Sequence, residues 1–215
     1  MPKPNRVKRI ESGALLAARE LVTISGGRVL LPDAGQMVHL QFRRFAGCPV
    51  CSLHLRSFVR RRPELVAAGV REVVLFHSPV DELRRHAADL PFAIVADPDK
   101  RLYAEFGLES SPRALLDPRA WLSIVRGVAR GLWLMLRERR PAPSLNPYGG
   151  RWGLPADFLV GRDGRVIACK YGKHADDQWS VDDLLALARP AARRRTSPAT
   201  NTHPSQSVPA NQAAR

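Results

Sequence analysis

Acidic residues are scarce in this chain of 215: 20 Asp and Glu stand against 34 Lys and Arg, leaving a formal net charge of +14 at pH 7 with His neutral. Cysteine is scarcer, with three in all. Three is too few, and an odd number, for the disulfide framework of a small secreted domain, so any redox chemistry must come from one particular pair. A reducing, cytoplasmic compartment is the expectation. Long apolar runs are missing too. The longest, Trp121 to Leu136, is interrupted by Arg126 and Arg130 and falls short of the roughly 18 uninterrupted apolar residues of a membrane span. The basic N-terminal stretch leads into apolar residues broken by Arg19 and Glu20, which does not fit a signal peptide. From Arg189 onward aromatic and acidic residues are both absent. Nothing there offsets the entropy of ordering, so residues 190–215 read as a disordered basic tail.

What is present is a globular composition, 45% hydrophobic and 25% charged, sufficient for one domain with a substantial core. Residues 1–19 read as a helical extension, on the spacing of Leu15, Leu16 and Leu21 with Ser12 as a cap. Ser25-Gly26-Gly27 between two short apolar runs reads as a hairpin. From there the pattern alternates. Val38 to Phe42 is a strand, Leu53 to Leu65 an amphipathic helix, and Val70 to His77 a strand with a buried centre. Val80 to Leu90 is a helix, Ala93 to Ala96 a strand, and Lys100 to Phe106 a helix capped by Asp97 and stopped by Gly107. Residues 113–150 form a basic helical insertion with a Pro- and Gly-rich end. Gly161-Arg-Asp-Gly164 joins two final strands, and Val181 to Leu187 is the last helix. The class is α/β, with one domain over residues 20–189.

Cys48-Pro49-Val50-Cys51 falls where a strand ends and a helix begins, the context in which C-x-x-C reads as a redox pair. Free N–H groups and the positive dipole end at a helix start stabilise a thiolate, and Arg43, Arg44 and Arg56 lie close enough in sequence to add positive charge. Cys48 is therefore the expected nucleophile, with a lowered pKa. Cys51, one turn further on, is placed to resolve an oxidised Cys48 from within the chain. Pro49 suits the first helical position, where its missing N–H is no loss.

These residues, with Pro91-Phe-Ala-Ile-Val-Ala-Asp-Pro-Asp ending at Phe106-Gly107 and the terminal hairpin, resemble the thioredoxin-fold peroxiredoxins. The closer resemblance is to the peroxiredoxin-like branch of the alkyl hydroperoxide reductase/thiol-specific antioxidant group, over roughly Leu21 to Ala188. It implies a central mixed β-sheet flanked by helices and thiol-based reduction of peroxides or disulfides. A thioredoxin-like or low-molecular-weight thiol would act as electron donor, with no metal or organic cofactor. Gly153-Leu-Pro155 resembles the segment that carries a cis-proline beside the active cysteine, so Phe45, Pro49 and Pro155 are assigned to the substrate groove. Two features depart from the family. Phe45 stands where a Thr normally precedes the nucleophile by three residues, and the family's Arg near the cis-proline has no clear counterpart. Both donors polarise the O–O bond, and their loss is expected to weaken peroxidase chemistry.

Competing readings are a zinc half-site at Cys48 and Cys51 completed by His54, Cys169 or His174, and a non-catalytic basic protein binding nucleic acid or an anionic membrane. A second C-x-x-C or H-x-x-H is lacking, and so are zinc-finger, helix-turn-helix and RNA-binding aromatic signatures, so nucleic acid ranks behind redox chemistry. Cys169 and His77 read as structural residues. The stripe Trp121, Leu122, Val125, Leu132, Trp133, Leu136 reads first as core, with peripheral membrane contact through residues 113–140 as the alternative.

Overall fold

A computed structural model describes residues 9–108, 117–138 and 146–193. Strands β1 (Arg19–Val22) and β2 (Arg28–Leu31) form an antiparallel hairpin. The main sheet comprises β3 (Met37–Phe42), β4 (Val70–Phe76), β5 (Ala93–Ala96), β6 (Ala156–Val160) and β7 (Val166–Tyr171), in the order β5-β4-β3-β6-β7. β3, β4 and β5 run parallel, whereas β6 is antiparallel to β3 and β7 to β6. The six helices of the described residues are α1 (Pro49–Arg60), α2 (Arg62–Ala67), α3 (Val80–Ala87), α4 (Arg101–Glu105), α5 (Pro118–Glu138) and α6 (Val181–Arg193).

Burial explains the sheet's centre. Every residue of β3 and β6 is buried, so both strands lie inside two covering layers and do not alternate with solvent. Phe42, Phe106 and Phe158 meet in one cluster with ring centroids 4.9–5.7 Å apart. A second cluster joins Cys48, Cys51, Leu55, Val74, Phe76 and Leu83. The thiols are thus part of the packing between α1 and the sheet.

Several expectations need correction. No helix forms between residues 9 and 18. This segment instead lies along the β6–β7 turn, with Gly13 N donating to Val166 O at 2.7 Å, Val166 N to Ala14 O at 2.8 Å and Leu16 N to Gly164 O at 3.0 Å. Pairing with an open edge satisfies the same backbone groups a helix would, and Gly13, at φ 90°, turns the chain onto that edge. The amphipathic helix after the C-x-x-C motif is two helices, because Pro63 near the start of α2 has no N–H to continue the ladder. The last helix continues through Arg193, past the expected boundary at 189. The remainder of the tail, residues 109–112, and residues 113–116 and 139–145 of the insertion lie outside the described residues.

The apolar stripe on α5 is not core. Trp121, Leu122, Val125, Leu132, Trp133 and Leu136 are all exposed, while Ile124 packs against the thiol cluster and Gly127 is buried. A Cβ on Gly127 would stand 2.9 Å from the carbonyl carbon of Pro49. Among the described residues of the helix, Ile124 and Gly127 face inward, and the large apolar residues named above point outward. Among the described residues, no helix is long and apolar enough to cross a membrane.

Candidate active site

The C-terminal ends of β3, β4 and β5 open on one edge of the sheet, and the segment entering β6 reaches the same edge because Ala156 pairs with Phe42. Open α/β sheets bind ligands at such an edge. Beyond β3 the chain turns through Gly47, at φ 75°, and Cys48 N donates to Phe45 O at 3.2 Å. Cys48 then caps α1, with its sulfur accepting from Cys51 N at 3.4 Å. Pro49 occupies the first helical position.

The two sulfurs are 2.8 Å apart, with the Cys51 thiol donating to Cys48. Both cysteines are buried, 1% and 2% exposed. Burial is the largest single influence on Cys48 and pushes its pKa up, but the Cys51 thiol, the Arg44 charge and the Cys51 amide outweigh it and hold the group at about 6. Cys51 goes the other way: burial, its bond to Cys48 and the neighbouring negative charge push its pKa well up. The pair is asymmetric, with a thiolate at Cys48 and a protonated thiol beside it at neutral pH.

Of the three arginines expected to support the thiolate, the structure brings Arg44 to it. Its buried guanidinium lies over the Phe45 ring, 5.4 Å from the centroid, so the aromatic residue provides a platform for the cation. Arg43 is committed elsewhere. Fully buried, it donates to Asp157 Oδ1 at 2.7 Å and Gln41 Oε1 at 2.6 Å. Arg56, on α1, is not among the principal influences on either thiol. Pro155 is buried at the entry to β6, but the cis peptide bond among the described residues is Leu31–Pro32. The cis-proline expectation at Pro155 therefore fails.

The family described as AhpC/TSA antioxidant enzyme matches residues 57–174, more than half the chain. The protein belongs to that family. The match begins beyond Cys48 and Cys51, so it covers the scaffold and not the thiol pair itself. No curated protein matches this AhpC/TSA family member by sequence. Its fold is that of solved peroxiredoxins. Peroxidoxin BcpB of Mycobacterium tuberculosis superposes with a TM-score of 0.60 at 17% identity, covering 85% of this chain and 98% of the other. Peroxiredoxin 6 of Arenicola marina gives 0.61 at 14%, with coverages of 89% and 79%. A yeast mitochondrial 1-Cys peroxiredoxin, described with a resolving mechanism via glutathione/thioredoxin systems, gives 0.57 at 10%, with coverages of 91% and 84%. This AhpC/TSA protein is accordingly a thioredoxin-fold oxidoreductase of thiol-based antioxidant type.

His77, read from the sequence as structural, stands at the same edge. It follows β4 directly and is buried, and its Nε2 has no hydrogen-bond partner. Its position at a strand end was the signal available in the sequence. The zinc reading gathers no support. Cys169 Sγ lies 3.5 Å from Ile10 O on β7, and among the described residues no group of three or more His, Cys, Asp or Glu gathers as a metal site.

Proposed function

We propose that Cys48 is the nucleophile of a peroxide-reducing thiol enzyme and Cys51 its resolving thiol. The observation that carries this is the asymmetry of two sulfurs 2.8 Å apart, one held at about 6 and the other pushed up. Cys48 thiolate attacks the terminal oxygen of a hydroperoxide. An S–O bond forms, the O–O bond breaks, and the departing alkoxide or hydroxide takes up a proton. Sulfur is oxidised to the sulfenic acid and the peroxide is reduced to alcohol or water. Loss of the negative charge on Cys48 then removes one of the influences that kept Cys51 protonated. Cys51 sulfur attacks Cys48, its proton leaves with the displaced hydroxyl as water, and a Cys48–Cys51 disulfide closes. A thioredoxin-like or low-molecular-weight thiol donor reduces that disulfide and is itself oxidised. Burial of both thiols favours a small peroxide over a bulky disulfide as oxidant.

Stopped-flow oxidation of the reduced protein by hydrogen peroxide tests the assignment. Cys48→Ser is expected to abolish it, and Cys51→Ser to leave a Cys48 sulfenic acid that a dimedone probe captures. Peroxide reduction that survives in Cys48→Ser would overturn the reading. Peripheral membrane contact over residues 113–140 now rests on one feature, the outward apolar face of α5 flanked by exposed Arg119, Arg126, Arg130 and Arg137. Sedimentation with anionic phosphatidylserine vesicles tests it, and unchanged solubility in their presence would dismiss it.

A further inference from the structure

Buried polar atoms are almost always hydrogen-bonded, so a cluster of unpartnered ones at one place calls for a ligand or a reason. At the thiol edge three coincide: Arg44 Nε, Arg44 Nη1 and His77 Nε2 are all buried without a partner, on residues only 3% and 1% exposed. They belong to one neighbourhood. His77 N donates to Arg44 O at 3.2 Å, and both side chains border Gly153. A Cβ built on that glycine would lie 3.0 Å from His77 Nε2 and 3.8 Å from Arg44 Cγ. A side chain at position 153 would crowd this space.

The hydrogen-bonding character of His77 follows from its other nitrogen. Nδ1 lies 3.3 Å from the Tyr148 carbonyl oxygen, which only accepts, so Nδ1 carries the proton. In a neutral ring Nε2 is then an acceptor. Burial and the charges of Lys100 and Arg44 keep the ring neutral, its pKa pushed down to about 4. Edge-on packing against Tyr103, with centroids 5.7 Å apart, fixes its plane. The neighbourhood therefore offers two donors on Arg44 and one acceptor on His77, beside a thiolate that Arg44 already stabilises.

We infer that Arg44 and His77 form a hydroperoxide subsite, in which the substrate O–H donates to His77 Nε2 while its oxygens accept from Arg44 Nε and Nη1. The inference rests on the peroxide-reducing reading above and narrows its substrate to molecules bearing an O–O–H group. As Cys48 attacks, the hydrogen held by His77 stays on the oxygen that becomes the sulfenic hydroxyl. Negative charge develops on the leaving oxygen, where the Arg44 donors oppose it. A disulfide has no hydrogen to offer Nε2 and leaves that acceptor unmet. Arg44 thus supplies donors where Phe45 and Leu154-Pro155 supply none, and His77 supplies the acceptor.

The test compares two electrophiles on the reduced full-length protein. Hydrogen peroxide carries the O–H group, and iodoacetamide, which reports thiolate reactivity alone, does not. His77→Phe keeps a buried ring and removes the acceptor. It is expected to slow oxidation by peroxide about tenfold, the order of one hydrogen bond lost at a reacting group, while alkylation changes less than about twofold. His77→Gln, which returns an acceptor oxygen, should recover part of the rate. Gly153→Ala, which leaves His77 intact and crowds Nε2, should also slow oxidation and spare alkylation. An unchanged peroxide rate in both His77→Phe and Gly153→Ala would overturn the subsite, as would parallel loss of both reactions. If a small disulfide oxidises wild-type Cys48 and hydrogen peroxide does not, the subsite falls while the thiol pair stands. Inertness to both oxidants would remove the underlying reading as well.

Discussion

At the scale of single residues, the site depends on which of two neighbouring arginines turns toward sulfur. Arg44 lies by the thiols and Arg43 in the interior beneath α1, bound to Asp157, because successive positions of an extended chain point opposite ways. Nothing in the run Arg43-Arg44-Phe45 states which parity holds; pairing of β3 with its neighbours decides it. Arg44→Met should therefore raise the Cys48 pKa from about 6, since burial then acts with less opposition. Measured as the pH dependence of iodoacetamide alkylation, the midpoint is expected to move up by about one unit or more, as for loss of an opposite charge within a few ångströms. A midpoint unmoved in Arg44→Met would assign the thiolate to the helix terminus and the Cys51 thiol alone. The placement of the C-x-x-C pair at a helix start was legible, because it is local to four residues.

At the scale of elements, α5 carries the information that the sequence pattern concealed. Its six large apolar residues suggest a core stripe by spacing, yet they face solvent, and among the described residues Gly127 and Ile124 provide the contact with α1 and its cluster. Periodicity reports that a helix has an apolar face; it does not report whether another element covers that face. Gly127→Val would place carbon within 2.9 Å of the Pro49 backbone, which cannot yield as a flexible side chain would. The helix is expected to lift, lowering stability by about 1–3 kcal/mol and raising the alkylation rate of Cys48. Urea denaturation and alkylation kinetics together check it; an unaltered alkylation rate would show that α5 does not limit access to the thiol. The N-terminal segment shows the same principle from the other side. Its leucine spacing fits a helix, and an unpaired edge at the β6–β7 turn offered the backbone an alternative.

At the scale of the whole molecule, a buried charged network ties the layers together. His39 lies 2.7 Å from Glu72 and 3.2 Å from Asp157, Arg43 reaches Asp157, and Trp179 N donates to Asp157 Oδ2 at 3.2 Å. The network links β3, β4, β6 and the entry to α6. Burial opposes the charged form of His39, but the Glu72 and Asp157 carboxylates overcome it and raise the ring to about 9. A group whose pKa is higher folded than unfolded stabilises the fold fully below its unfolded value, about 6.5, and loses that contribution as pH rises through the folded value. The stability advantage of the wild type over His39→Gln should accordingly shrink between about pH 7 and pH 9; the difference cancels the opposite trend of Cys48, whose lowered pKa favours the fold as pH rises. A difference between the two urea midpoints that stays constant across this range would refute the assignment. Asp157, held well below the usual carboxylate range once Arg43 and His39 outweigh burial, adds stability above the unfolded carboxylate pKa that is lost toward acid.

The sequence by itself determined the α/β alternation, the strand-to-helix placement of Cys48 and Cys51, and the stop at Gly107, because these depend on residues within a few positions of one another. It determined the charge surplus but not its use. Tertiary structure decided which arginine meets the thiolate, that Phe45 serves as a platform for it, that His77 and Gly153 meet beside it, and that α5 seats on a glycine. Those outcomes depend on strand register and on contacts between positions tens of residues apart, and local pattern carries no record of either.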